Sequence, residues 1–269
     1  MSTLYRYIDS EFGPTSAEQA HQALTEASAT GWAYYVATGY QANAWTSEEV
    51  GFARAAGDIL PVAVAPLSFT GSIQPPATFV GSALAQAARN LDSNYRRRLL
   101  CIDVEPGAYD SYPIVCASWI RECAGWVEKA GWGLVLYSVA RCAARVLTLT
   151  VNPVPGYIWI ADPSSTPDPA TLAGVPEGAW DVGQRAQQYA YDHVYAGIKC
   201  DLSVAQYRWS YPEVSSLPPP APSVDAEINA LYWLAKGIVD GLGTTGTTPF
   251  YDSGKAIAAL IAKEKTSNG

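Results

Sequence analysis

Histidine is nearly absent from this chain, which has only His21 and His193 in 269 residues. Catalysis built on imidazole is therefore poorly supplied, and so are zinc sites that draw on it. The five cysteines, Cys101, Cys116, Cys123, Cys142 and Cys200, are odd in number and include no C-x-x-C pair. They argue against a disulfide framework and predict buried thiols. Neither a metal nor a cofactor is expected. Charge is also scarce: 16% of residues are charged, and 25 acids against 17 bases leave a formal net charge of −8. That balance argues against nucleic acid or an anionic membrane as the main partner. No apolar run reaches the roughly 18 residues of a membrane span. The opening MSTLYRYIDSEF lacks a basic start followed by an apolar stretch. It predicts synthesis in the cytoplasm without a signal peptide, with release by lysis or within a phage virion.

Aromatic residues are plentiful, at 12%, with nine Trp and seventeen Tyr. They fit two uses, a well-filled core and flat surfaces on which pyranose rings stack. Apolar residues make up 49%, enough for the core of one large α/β domain.

Strand-like and helix-like segments alternate through about residue 205. Short strands are expected at 4–9, 32–37, 59–65, 99–104, 133–138, 157–161, 187–191 and 197–202. Helices are expected at 16–29, 46–56, 79–91, 113–130 and 140–147. The helix at 46–56 opens with the capping-box pattern TSEE and stops at Gly57. The strands are mostly unbroken apolar runs, as when both faces are buried. Eight strands favour a closed (β/α)8 TIM-like barrel over an open doubly wound sheet. The DSEFGP after the first strand is also no phosphate-binding loop. Composition changes at 215–223 (SSLPPPAPS), a stiff linker. The expected organisation is a barrel over 1–214, the linker, and a helical tail over 224–269. The tail is too small for a core of its own, so it is expected to dock on the barrel or on other protein chains.

Carboxylates mark the strand ends, where the chemistry of such a barrel is built. Asp9 ends the first strand, Asp103 and Glu105 the fourth, and Asp201 the last. Tyr137, Asp162 and Gln188 also lie near strand ends. Asp103 and Glu105 are two apart on an extended chain, so their side chains leave on one side. The first and last strands of a closed barrel are neighbours, which brings Asp9 to Asp201. Grouped acids repel and lose hydration, so at least one pKa is expected to rise. One protonated and one ionised acid suit cleavage of a glycosidic bond.

The segments YIDS (7–10), LLCIDVEP (99–106), GWGLVLYS (131–138), YIWIADP (157–163) and QQYAYDHVYAGIKCDLSV (187–204) resemble the family 25 glycoside hydrolases, the lysozyme-like muramidases. The chain is more similar still to the related barrels grouped as domain of unknown function 1906. Segments 38–64 and 80–91 carry that further likeness. The resemblance spans about residues 4–209. It implies Glu105 as general acid, Asp103 as its partner carboxylate, and Asp9 and Asp201 as further acids of the cleft. It also implies Tyr137, Trp159, Gln188 and Tyr189 beside the sugar, with the muramic acid linkage of peptidoglycan as substrate and the substrate's own acetamido group taking part. The chain departs from family 25 at DSEFGP, where a Trp-Gln pair is usual, and at Asp201-Leu202-Ser203, where that family reads D-L-N.

The expectation is thus a glycoside hydrolase acting on bacterial cell-wall polysaccharide. One alternative is a non-catalytic glycan-binding or structural module, such as a phage tail component assembled through 224–269. Another is a barrel that metabolises soluble sugars.

Overall fold

The structure, a computed structural model, describes residues 3–211 apart from 39, 41–42, 70–72, 92–94, 96, 150–153, 164–166, 177–179 and 181–182. The chain divides into two units, Met1–Glu213 and Val214–Gly269. The expected linker at 215–223 and helical tail at 224–269 lie outside the described residues.

The first unit is a closed barrel in the order β1 to β8, which settles the choice against an open sheet. Its strands are β1 (Tyr5–Asp9), β2 (Gly31–Val36), β3 (Asp58–Val64), β4 (Leu99–Asp103), β5 (Gly133–Ser138), β6 (Tyr157–Ala161), β7 (Arg185–Tyr195) and β8 (Ile198–Ala205). Helices α1 (Ala17–Ala27), α2 (Ser47–Ala56), α3 (Pro76–Ala87), α4 (Pro106–Ser111), α5 (Pro113–Lys129) and α6 (Ala140–Thr148) follow β1 to β5. The α2 capping box forms as the sequence predicts. The Thr46 hydroxyl accepts the Glu49 N–H at 3.2 Å, and the Glu49 carboxylate accepts the Thr46 N–H at 2.6 Å.

Strands β1 to β7 run parallel, but β8 runs antiparallel to both of its neighbours. The cause is local. Ala196 and Gly197 both take positive φ, +47° and +80°, the backbone of a tight hairpin turn. The chain therefore folds straight back from β7 without a crossover helix. Since β8 enters the barrel from the opposite end, Asp201 lies in the middle of its strand and is still level with the end of β1.

Two apolar layers follow from strand alternation. One lies between barrel and helices and includes Ile8, Trp32, Ile102 and Ile120. The other fills the barrel with Tyr7, Leu60, Cys101, Val135 and Trp159. All five cysteines are buried free thiols, as expected. The chain after β8 closes the barrel floor. Trp209 stacks on Tyr7 at 3.7 Å and donates its backbone N–H to the Tyr7 hydroxyl at 2.8 Å. Ser210 bridges Ile59 near the start of β3, and its hydroxyl accepts the Leu99 N–H. Arg208 makes two 2.8 Å bonds to the buried Asp58 carboxylate.

Candidate active site

At the other end the barrel opens into a cleft of about 510 Å³, lined by all four acids. Asp9 and Asp201 are directly paired residues of β1 and β8. Asp103 is the last residue of β4 and is only 4% exposed. Glu105 follows at the start of α4, exposed, in an extended conformation (φ −65°, ψ 143°). Pro106 enforces that conformation, because a residue before proline is kept out of the helical region. Glu105 thus leaves the chain on the same side as Asp103. The β4 end is further pinned by the Ser138 hydroxyl, which donates to the Val104 carbonyl at 2.7 Å.

Gln188 joins the two paired acids. Its side-chain amide nitrogen lies 3.1 Å from Asp201 Oδ2 and 3.3 Å from Asp9 Oδ2. Its oxygen accepts the Tyr137 hydroxyl at 2.5 Å. Asp201 Oδ1 also accepts the Asp192 backbone N–H at 2.9 Å. By contrast, Asp103 Oδ1 is buried in the cleft wall with no hydrogen-bond partner.

The pKa rise expected from grouped acids is present. Burial, reinforced by the Asp201 charge, pushes Asp9 up to about 8, against a lowering by Gln188. Burial, with the charges of Glu105 and Asp9, pushes Asp103 well above the usual carboxylate range. Asp201 also rises, again chiefly through burial. At neutral pH the cleft thus holds the Asp9 carboxyl in its protonated form, on the opposite wall from the exposed Glu105.

Tyr137 and Gln188 line the cleft. Trp159, Asp162 and Tyr189 are not among its lining residues. Trp159 points inward but one layer deeper, where its indole N–H donates to the Ser203 hydroxyl at 2.9 Å and its ring meets Tyr137 edge-on. It supports the cleft from below. Asp162 follows the inward Ala161 and anchors its backbone N–H on the Gln188 carbonyl. Tyr189 packs against the outer apolar layer. A register shift between Gln188 and Ala190 breaks the alternation of β7, so Tyr191, three residues on, is the next side chain in the cleft. Tyr191 and Tyr35 were missed. The alternation of WAYYVA, with Ala33 inward, was the signal that puts Tyr35 inside.

Among the described residues no cluster of His, Cys, Asp and Glu has the form of a metal site. No described helix is long and apolar enough to cross a membrane.

A barrel with four carboxylates at its mouth is the class that fold and site define. No family model matches the chain, and no curated protein matches it. Solved structures do resemble it. One is an uncharacterized protein of B. stearothermophilus, at 20% identity, covering 75% of this chain and 95% of that one, with a TM-score of 0.49. Another is the catalytic domain of an endolysin from a Listeria monocytogenes bacteriophage, at 16% identity, covering 76% and 93%, with a TM-score of 0.49. A third is the spore cortex lytic enzyme SleM of Clostridium perfringens, at 16% identity, covering 76% and 67%, with a TM-score of 0.49. At these scores none of the three bears on activity.

Proposed function

We propose that the chain is a glycoside hydrolase of bacterial cell-wall polysaccharide, with Glu105 as the proton donor. The observation that carries this reading is the pairing of exposed Glu105 with Asp103, whose Oδ1 is buried at the cleft without a partner. A buried acceptor left unbonded costs stability unless a ligand supplies the donor. An acetamido N–H of the substrate supplies one. Bonded to Asp103, the acetamido group turns its carbonyl oxygen to the sugar carbon and bonds it as the glycosidic bond breaks, Glu105 giving its proton to the departing oxygen. Water then attacks the same carbon, releases the acetamido oxygen and returns a proton to Glu105. Asp9 and Asp201 hold the far wall of the cleft through Gln188. The segments that resemble family 25 hydrolases support the same roles.

The test is release of new reducing ends from purified peptidoglycan by the full chain and by Glu105→Gln. The variant is expected to lose about a hundredfold or more in rate while keeping its melting temperature. Undiminished activity in the variant, or none from the parent on any wall preparation, overturns the proposal.

A further inference from the structure

The acid cleft does not end at Asp9 and Asp201. A second hollow of about 200 Å³ adjoins it, sharing Asp9, Tyr35 and Asp201 and continuing past Phe12, Asp192 and Lys199. The first hollow reaches across the mouth to residues that follow β4, β5 and β6, and the second occupies the side of β1 and β8. Together they cross the barrel mouth. Phe12 is 62% exposed although it lines the same hollow as the buried Asp9. The backbone that carries it is tightly held. The buried Ser10 hydroxyl lies 2.7 Å from the Lys199 carbonyl and 2.9 Å from that of Phe12, and accepts the Phe12 N–H at 3.2 Å. Trp45 donates its indole N–H to the Ser10 carbonyl, and Asn43 bonds the Glu11 carboxylate. An aromatic ring on a fixed support needs little further ordering to receive a flat apolar partner.

We infer that this second hollow is a binding site for an additional, uncharged sugar ring of a polysaccharide chain, stacked on Phe12. The inference rests on the glycan-cleaving reading of the main cleft and extends it to substrate length and charge. A pyranose presents an apolar face to the phenyl ring, and its hydroxyls meet the acceptors of Glu11 and Asp192. The ring must be uncharged. Among the described residues the one lysine lining the hollow, Lys199, is already paired with Asp192 at 2.7 Å, and the other ionisable groups there, Asp9, Glu11 and Asp201, are all acids. A carboxylate-bearing ring would meet repulsion on that side.

The test uses the full chain carrying Glu105→Gln, with neutral N-acetylglucosamine oligomers titrated calorimetrically. The hexasaccharide is expected to bind about tenfold tighter than the disaccharide, the scale of one aromatic contact. Adding Phe12→Ala should erase that gain and leave the disaccharide unchanged, and Phe12→Tyr should restore it. Phe12 is exposed, so its removal leaves the core intact. A gain that survives Phe12→Ala overturns the second site while leaving the main cleft standing. Failure of every oligomer to bind overturns both. Tighter binding of a hexasaccharide with a carboxylate on every ring overturns the assignment to uncharged sugar.

Discussion

Asp9 is the residue whose surroundings most alter its chemistry. Its carboxyl titrates at about 8 in the folded protein against an ordinary 3.8. Between those values the folded chain holds a proton that the unfolded chain releases, so stability falls as pH rises through the window. Asp9→Asn is therefore expected to flatten the decline of melting temperature between about pH 4 and pH 8 and to melt higher than the parent at pH 8. A slope equal to the parent's would contradict the assignment. Asp103 and Asp201 are shifted the same way and leave a residual slope. Asp9, Asp103 and Glu105 were legible in the sequence because they stand where β1 and β4 meet the mouth, whereas Asp201, expected at a strand end, lies in the middle of the reversed β8 and reaches the mouth by its pairing with Asp9. Trp159 and Tyr189 were not legible. Depth within a barrel depends on how neighbouring strands are staggered, and the inward side of β7 depends on a shift in pairing. Neither quantity is written in local composition.

Helix ends are local and were readable. The TSEE pattern predicted both members of the α2 box, and Thr46→Ala is expected to cost about 1 kcal/mol, seen as a small drop in melting temperature with no change in fold. Strand direction is not local in the same way. The alternating pattern implied eight parallel strands, whereas the last is reversed by the Ala196–Gly197 turn, which carries no Asn-Gly or Asp-Gly signature. Gly197→Val should weaken that hairpin, since a β-branched residue resists φ near +80°. The expected readout is loss of protection from amide hydrogen exchange along β7 and β8 before the rest of the barrel.

At the scale of the molecule the barrel is sealed by its own continuation. Arg208 neutralises Asp58, whose side chain is 3% exposed. Arg208→Ala leaves that acid buried and unpaired, with an expected loss of about 2–3 kcal/mol by chemical denaturation, smaller at acid pH where Asp58 takes up a proton. Truncation after Ala205 removes Tyr207, Trp209 and Ser210 together and is expected to abolish cooperative unfolding, since the inner apolar layer then faces water. The barrel class followed from the order of elements; this seal did not, because the polar–aromatic alternation of Q-Y-R-W-S reads as a further half-buried strand rather than as a plug.

The floor also fixes where the described chain begins and ends. Strand β1 starts beside Ala205, and the last described residues lie against the starts of β3 and β4. Both ends therefore emerge at the pole opposite the mouth. A bead or a surface attached ahead of β1 thus stands on the side of the barrel away from the acids, and attachment there is expected to leave ligand binding at the mouth unchanged.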